Sequence, residues 1–270
     1  MEIIGYIASV LIGVSLGLIG GGGSILTVPV LVYLFGVDPV LATAYSLFIV
    51  GATSLAGAFP KYRHGLISLK TALIFGAPAI AAVYATRAFF VPIIPKEIFT
   101  ISNFVVTKSL LVMLLFAVLM VFASISMIRE KNKLNGNGNG EQKFNYPMIL
   151  LEGTVVGILT GLVGAGGGFL IIPALVLFSK LPMKMAVGTS LLIIAAKSLI
   201  GFLGDISHYQ MDWKLLLIVT SLAIGGIFAG NWLSHKVPGE KLKKAFGWFV
   251  LVMGLYIIVK ELFFTGAGTH

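Results

Sequence analysis

The chain has 270 residues, 58% hydrophobic and only 11% charged, with a mean hydropathy of +1.03. A soluble fold of this size would need a charged shell that these residues cannot supply. Apolar runs of membrane-crossing length recur from end to end, so the sequence reads as an all-α polytopic membrane protein. The formal charge of +9 does not point to nucleic acid, because its distribution follows topology, and the lack of cysteine excludes disulfides and thiolate metal sites.

The first apolar segment, Ile3–Ile19, has no basic flank and reads as part of the fold rather than as a cleaved signal peptide. It runs into Gly20-Gly21-Gly22-Gly23-Ser24, where consecutive glycines make a continuous helix poor. A second arm, Ser24–Phe35, follows; it would span only about 18 Å as a helix, too short to cross. Asp38-Pro39 marks a turn, and Leu41–Phe59 and Leu66–Thr86 read as full spans. Pro92 and Pro95 mark a loop before a long helix expected from about Phe104 to Ile128. Arg129–Asn145, with its NGNGNG run, is a polar linker. Beyond it, Tyr146–Val163 and Phe169–Ser179 form another broken pair, followed by Ala186–Leu203, Trp213–Trp232 and Leu242–Phe264.

The second half repeats the first. Gly161 to Pro173 (GLVGAGGGFLIIP) stands 144 positions after Gly17 to Pro29 (GLIGGGGSILTVP), and the offset continues without a gap to Lys70 and Lys214. This divides the chain into a first transmembrane repeat (1–128), a linker (129–145) and a second repeat (146–270). Two repeats with broken apolar segments at matching places are the sequence pointer to a transporter binding site.

Lysine and arginine decide how the broken segments run. If each crosses as one kinked helix, the basic residues split evenly between the two faces. If each dips in and returns as a V, one face collects thirteen of the nineteen Lys and Arg. The other face then keeps Arg87, Lys96, Lys108, Lys214 and Lys260, with Lys197 left inside a span. Only the V arrangement obeys the positive-inside rule. It predicts two inverted repeats, each a re-entrant V followed by three spans, with both termini external and the linker cytoplasmic.

A helix that begins at Ser24 or Gly168 exposes its first N–H groups and the positive end of its dipole, which makes an anion site. Ser24 is placed to cap its helix or to contact a ligand. The expected substrate-binding set is Gly20, Gly21, Gly22, Gly23 and Ser24 with Gly164, Ala165, Gly166, Gly167 and Gly168, together with Ser46, Thr53, Ser190 and Lys197. Lys197 is central in its span, where a charge is costly and usually functional. Its counterpart in the first repeat is Thr53, so the site is expected to be asymmetric. Glu152 is the candidate for coupling to a proton. Neither glycine run is a P-loop, since no Gly-Lys-Ser/Thr follows, and neither has a βαβ context. No metal motif or nucleophile elbow appears, so no catalytic residue, metal or cofactor is expected and the chain is not read as an enzyme.

The duplicated G-L-[IV]-G-[GA]-G-G-[SG]-x-[LI]-x-x-P signature, each copy followed by a polar A-x-[AG]-[YT]-S-L span, resembles the sulfite exporter TauE/SafE family, also called the 4-toluene sulfonate uptake permeases. The resemblance covers nearly the whole chain. It implies a secondary carrier of sulfite, sulfonates or other sulfur-containing organic anions in the cytoplasmic membrane. Signature positions carried over are Gly20, Gly22, Gly23, Gly164, Gly166, Gly167, Pro29 and Pro173. The expected partners are a small anionic substrate and the lipid bilayer, with homodimerisation open. The competing readings are a carrier of small organic carboxylates and a membrane scaffold subunit without transport.

Overall fold

A computed structural model describes residues 2–21, 23–95, 97–101, 104–129, 146–164, 166–177, 179, 181–234 and 239–265. The NGNGNG linker, Gly22 and Ala165 lie outside the described residues. In the first half, α1 (Glu2–Ile19) and α2 (Ser24–Tyr33) flank the first glycine run, and α3 (Pro39–Arg63) and α4 (Leu69–Ala85) follow. The path of α4 continues through a π-helical turn, Thr86–Phe90, into the single turn α5 (Val91–Ile93). A small hairpin, β1 (Glu97–Ile101) and β2 (Phe104–Thr107), then precedes α6 (Lys108–Arg129). In the second half, α7 (Tyr146–Val163) and α8 (Gly168–Leu177) flank the second run, followed by α9 (Met183–Ile206), α10 (Trp213–Ser234) and α11 (Gly239–Lys260). The protein is thus an all-α polytopic membrane protein. Among the described residues, five helical stretches, Pro39–Arg63, Leu69–Ile93, Lys108–Ile125, Met183–Ile206 and Trp213–Ser234, are long and apolar enough to cross a bilayer.

The hairpin is a departure from the sequence reading, which expects loop followed by helix from Phe104. The β-branched and aromatic residues of Ile98–Ile101 and Phe104–Thr107 favour paired strands, so α6 begins four residues later, at Lys108.

Phe35, just past α2, lies against Gly5 and the Tyr6 ring near the start of α1, with ring centroids 5.4 Å apart. The end of α2 therefore returns to the level where α1 began. The two arms form a helical hairpin around Gly20–Gly23, rather than one kinked rod.

The halves are interlocked, and the interlock follows the 144-residue offset. On α1, Gly13 and Gly17 press on the backbone of α10 at Ala223, Ile227 and Gly230. Their counterparts on α7, Gly157 and Gly161, press on Ala79 and Ala82 of α4 and on Thr86 of the π-turn that continues it. Both pairs run parallel. Without water to drive apolar association in lipid, such small-residue contacts supply the packing, because they let backbones come close. At the centre, Gly57 meets Leu191, Gly51 meets Leu199 and Gly201 meets Leu47, so α3 and α9 run antiparallel. The pairs Gly57–Leu191 and Gly201–Leu47 exchange under the offset.

The same exchange governs the helix starts. Ser68 caps α4, and its own backbone N–H donates to Thr189 Oγ1 at 2.9 Å. Asp212, the counterpart of Ser68, accepts from Leu215 N at the start of α10, and its backbone N–H donates to the hydroxyl of Tyr45, the counterpart of Thr189, at 2.6 Å. Each repeat thereby satisfies an orphan helix-terminal group of the other. Exposed apolar residues such as Leu11, Leu73, Phe122 and Val252 form the outer surface, as lipid contact demands.

Candidate functional site

The two glycine breaks meet in the interior. A side chain on Gly21 would begin 2.6 Å from the carbonyl group of Gly168, and one on Gly166 would begin 3.3 Å from Ser24 Cβ. The start of α2 therefore abuts the start of α8. Gly20, Gly164, Gly166 and Gly167 have φ of 78°, 70°, 62° and 65°, a region costly for any residue with a Cβ. These left-handed turns allow the chain to stop one helix and begin another within a few residues.

Lys197 is fully buried, and its Nζ donates to Thr160 Oγ1 at 2.9 Å. A Cβ on Gly167 would lie 2.7 Å from that Nζ, so the ammonium sits beside the residue that precedes α8. No carboxylate pairs with it among the described residues. Two helix N-termini and the Lys197 amine converge here, an arrangement in which the dipole ends and a protonated amine disfavour one another in the absence of an anion. On α2, α3 and α9, Thr27, Ser46, Thr53, Ser54 and Ser198 bury hydroxyls that have no hydrogen-bond partner among the described residues. The α3–α9 register sets Thr53 level with Lys197.

Other expected site residues behave differently. The hydroxyl of Ser190 donates to Val187 O at 2.8 Å and reaches Gly20 O at 3.2 Å, so it braces the first break. Ser24 is not a cap: Gly23 holds that position, and the Ser24 hydroxyl donates back to Gly21 O at 2.7 Å. The short loop leaves Gly21 O within reach, and that bond uses the hydroxyl's only proton. Gly23 has φ −64° and faces α1, where a Cβ would meet Leu16 N at 2.7 Å and Ser15 Oγ at 2.8 Å. It is therefore a packing position of the α1–α2 hairpin. Glu152 is half-buried near the start of α7, with Oε2 unpartnered among the described residues and no contact to Lys197.

Sequence reasoning missed Thr160 and misplaced Arg87. Thr160 aligns with Leu16, and nothing in its neighbourhood marked it. Arg87 is expected on the outer surface but is fully buried, 3.2 Å from Asp205 Oδ2. The helix continues past Ala85 as a π-turn, and that carries Arg87 onto α9 instead of into solvent.

Compared with known proteins, residues 6–257 match the family described as sulfite exporter TauE/SafE. The chain belongs to this family. A probable membrane transporter protein of Xylella fastidiosa (strain 9a5c) is 32% identical over 92% of this chain and 91% of its own length. The probable membrane transporter protein YdhB of Bacillus subtilis (strain 168) is 27% identical over 92% and 96%. A further probable membrane transporter protein, of Haemophilus influenzae (strain ATCC 51907 / DSM 11121 / KW20 / Rd), is 24% identical over 93% and 95%. No solved structure matches. Family and fold together make this member of the TauE/SafE family a multi-pass membrane transporter.

Proposed function

We propose that the protein is a secondary carrier that moves a small sulfur-containing oxyanion, sulfite or a sulfonate, across the cytoplasmic membrane. The anion is held between the starts of α2 and α8, by backbone amides at Gly22–Ser24 and Gly166–Gly168, with Lys197 as its countercharge. The observation that carries the reading is the buried Lys197 amine, with no carboxylate partner among the described residues, beside the N-terminus of α8. An oxyanion with three oxygens can accept from both helix ends and from the ammonium at once, which a halide cannot match. Hydroxyls of Thr53, Ser46 and Ser198 supply further donors.

In the same proposal the repeats are inverted. The antiparallel α3–α9 contact supports this, because an axis relating two antiparallel spans lies in the membrane plane. The thirteen-to-five charge split supports external termini and a cytoplasmic linker. Burial of Arg87 lowers the exposed basic count of the external face further. The chemistry asked of the protein is binding and exposure, with no bond made or broken.

The test is a thermal-shift series on purified protein with sulfite, methanesulfonate, sulfate and acetate. A ligand of the native state raises the melting temperature through mass action. Stabilisation by sulfite or methanesulfonate above acetate is expected. Stabilisation by acetate alone would move the substrate to the carboxylates, and stabilisation by none would contradict an anion site.

A further inference from the structure

The interior holds a second cation that the anion site does not use. Arg87 is fully buried, and its ion pair with Asp205 is a single contact, NH1 to Oδ2 at 3.2 Å. None of the three guanidinium nitrogens and neither carboxylate oxygen has a well-formed hydrogen bond among the described residues. A pair kept for structure is expected to be bidentate, with its remaining donors and lone pairs satisfied, because desolvation otherwise exceeds the Coulomb gain. Among the described residues, this guanidinium keeps most of its donors open.

We propose that Arg87 is a second anion-binding residue on the transport path, and that Asp205 occupies it in place of substrate. The inference rests on the anion-carrier reading above and extends it. The two cations are linked through α7 and α9. Lys197 and Asp205 share α9, two turns and about 12 Å apart along its axis. Thr160, which accepts from Lys197, is followed on α7 by Gly161, which packs on Thr86; Arg87 is the next residue. Gly204, next to Asp205, lies against Arg87, where a Cβ would begin 3.1 Å from Arg87 Cβ. Arg87 belongs to the π-helical turn Thr86–Phe90, a local irregularity that recurs at functional sites.

The surroundings single out Asp205 as the group that neutralises Arg87. Lys108 from α6 donates to Val91 O and adds positive charge, while His208 and Tyr209 face the pair from the segment after α9. Asp38 faces Lys108 and Tyr209 of the same cluster. Its Oδ1 accepts from Val40 N and Leu41 N, and its Oδ2 from Ser109 Oγ, so it is committed to the start of α3. Under the 144-residue offset the partners of Arg87 and Asp205 are Asn231 and Lys61, so the pair has no counterpart at the opposite end. An oxyanion leaving Lys197 towards this end meets a planar guanidinium suited to it, and displaces the carboxylate. Asp205 thereby acts as a built-in competitor that clears the subsite when the substrate departs.

The experiment uses full-length protein in detergent and in proteoliposomes, with sulfite as the probe and methanesulfonate and acetate as controls. Arg87→Met/Asp205→Leu replaces the pair by apolar groups, a change that buried ion pairs commonly tolerate. The double variant is expected to melt near the wild type without ligand, while sulfite counterflow falls at least about tenfold, as for one lost charged contact. Asp205→Asn removes the competitor and is expected to tighten sulfite binding. Wild-type counterflow by the double variant, or unchanged or weaker sulfite binding by Asp205→Asn, would overturn the inference and leave a structural pair. Failure of the wild type itself to bind any of the three anions would overturn the carrier reading, and this inference with it.

Discussion

Lys197 donates to Thr160 Oγ1 at 2.9 Å, and the equivalent positions of the other repeat, Thr53 and Leu16, make no such bond. The two-fold relation that pairs α1 with α10 and α7 with α4 is therefore broken at the centre, as it is at the Arg87–Asp205 pair. A symmetric scaffold with one cation at its middle offers a single anion a defined orientation. Among the described residues the threonine is the acceptor for the Lys197 amine, whose protonated form has two further donors to offer an anion.

Thr160→Val isolates that acceptor. Removing it leaves a buried ammonium without a hydrogen bond, at a cost of about 1–3 kcal/mol to the ligand-free protein. An anion would then restore more of the lost stability than it does in the wild type. The expected result is a lower melting temperature without ligand and a larger rise with sulfite. Equal rises in both proteins would remove Thr160 from the site.

Gly167→Ala tests the break itself. The substitution adds left-handed strain of about 1–2 kcal/mol and sets a methyl group 2.7 Å from the Lys197 ammonium. Gly36→Ala is the matched control, since Gly36 has φ 70° but nothing within 4 Å of an added Cβ. Both variants are expected to insert, and only Gly167→Ala to lose transport in proteoliposomes. Loss in both would trace the effect to strain rather than to the site.

The interlock carries its own prediction. Tyr45→Phe removes the acceptor for Asp212 N, and Thr189→Val the acceptor for Ser68 N. Each is expected to cost about 1 kcal/mol, and the double variant close to the sum, because they lie at different helix starts. Thermal unfolding of the two single variants and the double measures this. A double variant no worse than either single would show that the exchanged caps are one coupled unit.

Much of the architecture was readable from residues because lipid leaves few choices. Runs of apolar residues became helices, and four glycines could not continue one, so the break at Gly20–Gly23 and its copy at Gly164–Gly168 were visible in advance. Lys197 stood out because a lone charge in an apolar run is conspicuous. Three features were not readable. Thr160 is one small hydroxyl among many, and only the fold aims it at Lys197. Arg87 followed an apolar run and looked like its solvent flank until the π-turn carried it inward against Asp205. Ser24 had the right residue type for a cap, yet the tight turn offered its hydroxyl a nearer acceptor in Gly21 O. The strands at Ile98–Ile101 and Phe104–Thr107 carried a local signal, β-branched and aromatic residues, that the helical context overrode.

Orientation is tested separately from the site. Single cysteines at Asn137 and Thr269, in a chain that has none of its own, report by labelling with an impermeant thiol reagent on intact cells. Labelling at 269 and protection at 137 is expected from the charge distribution. The reverse pattern would invert the assignment of faces.

The central claim is that Lys197 supplies the whole positive charge that an oxyanion needs, where helix ends supply partial ones. Calorimetric titration of sulfite into wild type, Lys197→Arg and Lys197→Met, in one detergent and buffer, tests it most directly. Loss of a charge-assisted contact predicts about 1–3 kcal/mol, or roughly ten- to a hundredfold weaker binding, for Lys197→Met. Lys197→Arg is expected to keep part of the affinity, with the charge retained in altered geometry. Coincident isotherms for wild type and Lys197→Met would contradict the account and make Lys197 a structural lysine.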